Sequence, residues 1–320
     1  MNDISKWIMN NARHLDLQVE ELSWIKKYYP NMFDITASIS IDGERWYGRG
    51  HSQDKDTALI IALSEAIERC VGLQKYQSSN GIATHTDVDS ARINSRNELL
   101  ERDLFLSHFL TRTAYACEKD YEFINASAVK FITSNNDKVR LFRTWPSNYG
   151  VCYIVLIYGE PMWGAIFGHC FGDQDAEILI EKAFLEAFRQ YYHKRANNLL
   201  NTNYTLADFC NRSKWDFTDH ELLALNVDYF AEIKKLFPNV STDTHGSVAY
   251  RRDEFQVEIL KPQNLLLCDS PFVSVRTTSV YAQNLKPGPF NLESISKKGL
   301  ERFLGGHVHR IITNVPHPIN

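Results

Sequence analysis

Two pairs of glutamates are the residues of this sequence whose spacing most clearly allows chemistry. Glu65 and Glu68 are three residues apart in the mostly apolar segment ALIIALSEAIERCVGL, and Glu98 and Glu101 repeat that spacing. Residues three or four apart share one helix face, so each pair presents two carboxylates together. A buried carboxylate must be paired or must bind a metal ion, because an isolated buried charge is costly. Mg²⁺ binds one or two carboxylates together with substrate phosphates, so each pair is a candidate magnesium site.

An arginine follows each pair and completes the pattern E-x-x-E-R. Arg69 follows Glu68, and Arg102 follows Glu101. A guanidinium binds phosphate well through two parallel hydrogen bonds, but it also neutralises a carboxylate one helical turn away. A solvated helix face with local ion pairs is therefore the alternative interpretation of each pattern, since short motifs are individually weak.

A further glutamate lies among apolar residues later in the chain. Glu186 occurs in KAFLEAFRQYYHKR, with Arg189 three residues and Gln190 four residues further on. This spacing again predicts one shared helix face. His307 and His309 are spaced to share one face of a strand, but no third metal ligand is evident, and an ordinary solvated or core pair is expected.

The elements that must position these residues are helices, strands and short turns. Apolar periodicity predicts helices, the first of them capped by Asp56 or Thr57. The predicted helices span 54–73, 89–110 and 175–198. Alternation in DITASISIDGERWYGRG predicts a β-hairpin that turns at Asp-Gly. Further strands are predicted over 121–146, 150–171 and 254–285. With no repeat of 20–50 residues and no regular βαβ alternation, the pattern favours an α+β fold with largely antiparallel sheets.

Composition excludes several other classes of protein. The 320 residues are 44% hydrophobic with a formal net charge of −4, so a globular chain is expected and nucleic-acid binding is not. The N-terminus lacks the apolar region of a signal peptide, and Glu160 and Pro161 interrupt the longest apolar stretch, which argues against a membrane span. A cytoplasmic protein with free thiols is expected, because its six cysteines form no Cys-x-x-Cys pair.

Three segments, taken in order, carry a family resemblance. They are GRGHSQDKDTALIIALSEAIER, SSNGIATHTDVDSARINSRNELLERDLF and GAIFGHCFGDQDAEILIEKAFLEAFRQ, and the chain closes with a proline-containing VPHPIN. Together they resemble the conserved blocks and the C-terminus of the YcaO domain family over about residues 40–318. The resemblance implies a single YcaO domain over 1–320, with a YcaO-type α+β fold whose helices line an ATP site.

The resemblance also implies roles for individual residues, and it implies ATP and Mg²⁺ as cofactors. The implied metal ligands are Glu65, Glu68, Glu98 and Glu101. The implied catalytic residues are Glu98, Arg102 and Glu186. The implied nucleotide contacts are Arg69, Thr86, Ser90, Arg102 and Arg189. Arg69 is the weaker phosphate contact, because it can simply neutralise Glu65.

The third segment and the C-terminus depart from the family pattern. Relatives read Glu-x-x-Gln-x-Arg in the third block, whereas the same spacing here gives Glu186, Arg189 and Tyr191. Arg189 is the candidate replacement for the usual arginine. Azoline-forming members end in Pro-x-Pro-x-Pro, and the last of these prolines is missing here.

The activity implied is ATP-dependent phosphorylation of a backbone amide oxygen in a peptide. A neighbouring Cys, Ser or Thr as nucleophile would give a thiazoline or oxazoline, sulfide would give a thioamide, and an amine would give an amidine. A non-catalytic accessory protein of the same family is the alternative. The resemblance also implies a homodimer and, since no peptide-clamp domain is evident, a leader-binding or E1-like partner protein that delivers the peptide.

Overall fold

A computed structural model describes most of the chain as helices and antiparallel strands, which confirms the predicted α+β class. The described residues are 3–76, 80–118, 122–123, 125–239, 246–290, 292–306 and 315–319. They form two compact units, of which unit 1 comprises Met1–Leu99 and Phe255–Ser279, and unit 2 comprises Leu100–Glu254 and Val280–Asn320. The single domain over 1–320 stays a prediction.

The helices and strands follow one another without regular alternation. The described α-helices are α1 (Asp3–Asn11), α2 (Lys55–Tyr76), α3 (Val88–Thr111), α4 (Ala126–Ser134), α5 (Ala176–Ala196), α6 (Leu206–Cys210), α7 (Phe217–Leu225), α8 (Val227–Ile233), α9 (Leu265–Cys268) and α10 (Lys297–Leu304). The described strands are β1 (Gln18–Glu21), β2 (Phe33–Ile41), β3 (Glu44–Ser52), β4 (Ile82–His85), β5 (Ala116–Cys117), β6 (Lys138–Arg143), β7 (Val151–Gly159), β8 (Trp163–Gly172), β9 (Gln256–Leu260) and β10 (Val273–Thr278). None of the helices within these ranges combines the length and apolar character that crossing a bilayer requires.

Unit 1 contains two antiparallel sheets, ordered β1-β2-β3 and β4-β10-β9. The β2–β3 hairpin turns at Asp42 and Gly43, which both have positive φ angles of 53° and 83°, as the predicted Asp-Gly turn requires. Helix α2 packs on this hairpin and buries the apolar side chains between its glutamates. The helix is capped by Asp54, whose carboxylate accepts from the Thr57 backbone N–H at 2.8 Å, so the prediction of Asp56 or Thr57 as the cap was wrong.

Unit 2 contains one antiparallel sheet, ordered β5-β6-β7-β8. Helix α5 packs on β7 and β8, and its buried face includes Phe184, Phe188 and Tyr191. Asp175 caps this helix by accepting from the Glu177 N–H. The predicted third helix and the strands at 150–171 are therefore confirmed to within a few residues.

Helix α3 carries the second glutamate pair. It begins after Asp87, which accepts from the backbone N–H of Ser90 at 2.7 Å. The boundary between the units falls within α3, between Leu99 and Leu100, so Glu98 belongs to unit 1 and Glu101 to unit 2.

Two segments predicted as strands are helical. Residues 126–134 form α4, because Asn125 accepts from the Ala128 N–H at 2.9 Å and starts a helix. Residues 265–268 form the short α9 after Asn264, which caps it in the same way. Short apolar runs do not distinguish strand from helix by periodicity, and in both cases the preceding asparagine was the informative residue.

The two units repeat one supersecondary motif, a β-hairpin whose second strand packs on the following helix. In unit 1 a Cβ added to Gly48 would lie 2.1 Å from the carbonyl oxygen of Ala62, and in unit 2 a Cβ added to Gly168 would lie 2.2 Å from that of Ala183. Strand and helix therefore touch backbone to backbone in both units. This repeat is not evident in the sequence, since few positions other than the contacting glycines and alanines need to match.

We expect Gly168→Ala to destabilise the protein by about 2 kcal/mol or more, or to prevent folding, because the methyl group would overlap α5 backbone atoms. Gly306→Ala is the matched control, since an added Cβ there has no atom within 4 Å among the described residues. Urea unfolding followed by circular dichroism measures both. A Gly168→Ala variant within 0.5 kcal/mol of wild type would contradict the close packing.

Candidate functional site

Three carboxylates of unit 1 lie close enough to influence one another. They are Glu65 and Glu68 on α2 and Glu98 on α3, called here the unit 1 carboxylates. Burial, followed by the charges of Glu98 and Glu65, raises the pKa of Glu68 well above its ordinary value. One oxygen of Glu68 accepts from the Thr84 backbone N–H at 3.1 Å, which only partly offsets this effect. The ionised cluster is therefore under electrostatic repulsion.

Glu65 is compensated by two hydrogen-bond donors. Its Oε2 accepts from the backbone N–H of Arg49 at 2.6 Å, and its Oε1 accepts from Arg69 at 2.6 Å. Arg69 also donates to the carbonyl oxygen of Tyr47. In this structure Arg69 neutralises Glu65, as the alternative interpretation of the motif expects.

The unit 1 carboxylates have the donor chemistry of a magnesium site. They are hard oxygen ligands, and a divalent cation would relieve the repulsion that, after burial, raises the pKa of Glu68. Within the described ranges no three or more His, Cys, Asp or Glu side chains converge closely enough to hold a metal ion by themselves. Mg²⁺ does not require such a cage, because it typically binds one or two carboxylates and completes its shell with phosphate oxygens and water.

A second polar group lies in unit 2 and is centred on His169 of β8. Its imidazole Nδ1 is 2.9 Å from Glu101 Oε1, and its Nε2 is 2.8 Å from Arg102 Nη1. Arginine can only donate, so Nε2 accepts, and the ring proton is on Nδ1 and is donated to Glu101. The His169 side chain is only 3% exposed.

Two glutamates complete this group, which is called the His169 cluster (Glu101, Arg102, His169 and Glu186). Glu101 uses its second oxygen to accept from the Phe171 N–H at 3.0 Å, and Glu186 accepts from the His169 N–H at 2.8 Å. Burial, the largest single effect, raises the pKa of Glu101, but His169, Arg102 and the Phe171 amide together lower it below its ordinary value. Glu101 is therefore a compensated anion, unlike Glu68.

The charges of the cluster also shift the pKa values of His169 and of the adjacent Cys170. Burial lowers the pKa of His169, while Glu186 and Glu101 raise it, and the net direction is upward. Burial, with Glu101 nearby, raises the pKa of Cys170 to about 12. Cys170 is thus held as a thiol at neutral pH, and a thiol is less reactive than a thiolate.

The chain end is anchored in unit 2. Residues 316–319 are buried, and the carbonyl oxygen of His317 accepts from Nδ1 of His220 at 2.7 Å. The two imidazole rings stack with centroids 3.9 Å apart. Burial, then His220, lowers the pKa of His317, and the positive charge of Arg102 adds to this shift. The proline-containing tail therefore lies within electrostatic range of the His169 cluster.

Comparison with solved structures identifies the fold. The YcaO protein of Methanopyrus kandleri, described as bound with AMPPCP and Mg²⁺, superposes with a TM-score of 0.55 at 12% identity over 91% of this chain and 94% of that one. The chain has the YcaO fold. A heterocyclase in complex with substrate and cofactor gives 0.56 at 10% identity over 87% of this chain, which spans about half (52%) of that protein.

A third YcaO-fold neighbour is more distant. The Escherichia coli microcin synthetase McbBCD complex matches with a TM-score of 0.45 at 16% identity, over 82% of this chain and 70% of that one. Searches with the sequence found no matching family model and no matching curated protein. The match to the M. kandleri protein confirms, at the level of the fold, the resemblance predicted from the three segments.

The remaining residues predicted to contact nucleotide are Thr86, Ser90 and Arg189. Ser90 lies in the first turn of α3 and its hydroxyl bonds Asp87, while Thr86 lies in the preceding loop and is partly buried. Arg189 is partly buried on α5, and Gln190 is directed to the carbonyl oxygen of Phe167 at 3.4 Å. Their roles toward nucleotide stay predictions. His307 and His309 lie outside the described residues.

Sequence reasoning missed His169, which is the centre of the unit 2 group. It lies in the third YcaO-like segment, directly after Gly168. Its position corresponds to that of Arg49, which directly follows Gly48. In both places the residue after the packing glycine donates its backbone N–H to a helix glutamate, Glu65 or Glu186. Only the three-dimensional repeat makes this equivalence visible.

We expect Glu68→Gln to stabilise the protein at pH 8, by about 1 kcal/mol or more. A carboxyl with a raised folded-state pKa keeps its proton longer in the folded chain, so the charge penalty appears as pH rises and vanishes as pH falls toward the unfolded value. The gain should therefore shrink between pH 8 and pH 5. The amide can still accept from the Thr84 N–H.

Chemical denaturation at both pH values measures this effect, with Glu20→Gln on exposed β1 as the control. The control should stay within about 0.5 kcal/mol of wild type at both pH values. A Glu68→Gln variant that is less stable than wild type at pH 8 would show that the unit 1 carboxylates do not repel one another.

Proposed function

We propose that the chain is an enzyme that uses ATP to phosphorylate a backbone amide oxygen of a peptide. Cyclodehydration is the proposed outcome, in which a neighbouring Cys, Ser or Thr side chain becomes part of a thiazoline or oxazoline ring. The unit 1 carboxylates would hold Mg²⁺, and Arg102 would contact phosphate. The YcaO fold supports this assignment, and the M. kandleri protein of the same fold is described with AMPPCP and Mg²⁺.

The observation that carries the proposal is the raised pKa of Glu68 beside Glu98 and Glu65. Arg69 compensates Glu65, but ionising the buried Glu68 beside two other carboxylates stays costly, and a bound cation would offset that cost. A site that retains such a cost is a candidate for function, because strained and charged arrangements concentrate at functional sites. Mg²⁺, when bound, would screen phosphate charge and so favour phosphoryl transfer.

Arg102 offers the complementary charge for phosphate. It lies four residues after Glu98 on α3, so both side chains project from the same face of one helix. Its Nε is buried and bonds no acceptor among the described residues, which leaves a donor for an anionic oxygen. Preorganised donors of this kind are a large part of catalysis in phosphoryl transfer.

Phosphorylation would convert the amide oxygen, a poor leaving group, into a good one. The nucleophile adds to the amide carbon, and the oxygen of the resulting adduct takes the γ-phosphoryl group and leaves ADP. Loss of inorganic phosphate then breaks the carbon–oxygen bond, so the oxygen leaves as phosphate instead of hydroxide. The same activation would give a thioamide with sulfide or an amidine with an amine, and the mass change of the peptide product distinguishes these outcomes.

A partner protein and a homodimer belong to the same proposal. The resemblance to YcaO proteins supports a leader-binding or E1-like partner that presents the peptide. We expect light scattering to show a dimer or a larger complex of the isolated chain. A monomer at every concentration, together with full peptide modification in the absence of any partner, would contradict both expectations.

We expect Glu98→Gln to reduce ATP turnover by roughly two to three orders of magnitude, as loss of one preorganised electrostatic contact does. Turnover is measured as ADP release in saturating ATP and Mg²⁺, with candidate peptides rich in Cys, Ser and Thr. Stability should hardly fall and can rise, because the substitution removes one charge from a repelling cluster.

Glu232→Gln is the matched control. Glu232 forms an exposed ion pair with Arg112 in unit 2, so its loss should cost at most about 0.5 kcal/mol and leave turnover unchanged. Turnover of Glu98→Gln within twofold of an active wild type would remove Glu98 from the catalytic set. A wild type that binds no ADP in the presence of Mg²⁺, with or without peptide and partner, would remove the proposed function.

A further inference from the structure

Arg102 is held by a neutral acceptor, although a carboxylate is nearby. Its Nη1 donates to the Nε2 of His169 at 2.8 Å, whereas Glu101 Oε1 is 3.9 Å from the same nitrogen. Both oxygens of Glu101 already accept, one from His169 Nδ1 and one from the Phe171 N–H. The imidazole therefore hydrogen-bonds to both groups, while the direct ion pair between Glu101 and Arg102 is longer, at 3.9 Å.

This arrangement orients the guanidinium through a hydrogen bond to an imidazole, while Glu101 compensates its charge only from 3.9 Å. A bidentate carboxylate would hold arginine as firmly, but it would also compensate the charge that an anionic ligand needs. The neutral ring supplies one hydrogen bond only, and Arg102 Nε stays buried with no acceptor among the residues described.

We propose that His169 is a positioning residue that aims Arg102 at a phosphate group, and that Glu101 serves to fix the Nδ1–H tautomer of His169. This inference rests on the proposed function, because it takes ATP as the source of the phosphate. It assigns Glu101 a role different from that of the repelling unit 1 carboxylates.

The surroundings of His169 restrict its movement, as positioning requires. Its backbone N–H is bonded to Glu186, and its ring lies against Phe105 with centroids 6.4 Å apart. Both ring nitrogens are within hydrogen-bond distance of partners in the cluster. A side chain fixed at three points can hold Arg102 at one orientation.

Two variants separate positioning from packing. In His169→Gln the side-chain amide reaches the place of Nε2, so its oxygen can still accept from Arg102. In His169→Asn the shorter amide reaches the place of Nδ1, so it can donate to Glu101 but offers nothing to Arg102. His108→Gln is the control, because His108 is another buried imidazole with the same tautomer, bonded to Thr113 and to the Trp145 N–H.

If His169 positions Arg102, His169→Asn should lower kcat by about tenfold to a hundredfold and raise KM for ATP much less, since the lost alignment matters most in the transition state. The decrease in log kcat should be smaller in His169→Gln than in His169→Asn by at least about a third. His108→Gln should lower stability and leave kcat near wild type. A mere packing role predicts equal kcat for both His169 variants.

Long-range ¹H–¹⁵N correlation spectra of the imidazoles give a readout that does not depend on activity. The expected tautomer of His169 in the wild type carries its proton on Nδ1, and a proton on Nε2 would overturn the inference. An active wild type with both His169 variants within twofold of its kcat would overturn the inference alone. A wild type without Mg²⁺-dependent ADP binding would overturn the proposed function and this inference together.

Discussion

Backbone contact between a glycine-bearing strand and an alanine-bearing helix is the constraint on which both polar groups depend. At Gly48 and Gly168 the strand lies so close to the helix that any side chain would overlap a helix carbonyl oxygen. This closeness brings the next residue's backbone N–H within 2.6 Å of Glu65 in unit 1 and 2.8 Å of Glu186 in unit 2. Each glutamate thus accepts a hydrogen bond from the main chain of a strand, and sites built on helices and strands are held more precisely than sites on loops.

From this shared frame the two units develop opposite electrostatics. In unit 1 the next helical turn adds Glu68 beside Glu65 and Glu98, and burial, followed by these negative charges, raises the pKa of Glu68. In unit 2 the strand adds His169 instead, and the pKa of Glu101 is lowered. The pKa of a buried glutamate is therefore raised in the unit 1 cluster and lowered in the unit 2 cluster. The chemistry differs because the residues beyond the contact differ, while the backbone arrangement is the same.

This division also explains what the sequence could and could not predict. The glutamate helices, the Asp-Gly hairpin and the antiparallel α+β class follow from local periodicity and turn chemistry, and all were confirmed. Short segments were less certain, so 126–134 was predicted as strand although Asn125 starts a helix there. The Asp54 cap was missed because neighbouring residues are equally good caps. His169 was missed because its importance comes from a contact with Glu101, 68 positions away in the chain.

Unit 2 contains several buried imidazoles, and His169 differs from His108 and His220 in its hydrogen-bond partners and in the direction of its pKa shift. His108 and His220 both donate from Nδ1 to a carbonyl oxygen and accept at Nε2 from a backbone N–H. Burial lowers the pKa of each to about 4, which is the behaviour of a neutral ring that joins two segments of main chain. His169 has the same tautomer and similar burial, but its partners are an ionised carboxylate and a guanidinium, and its pKa is shifted upward. A ring that only joins backbone segments does not need charged partners. With Glu101 and Arg102 in place of backbone groups, the same pair of hydrogen bonds orients the Arg102 guanidinium.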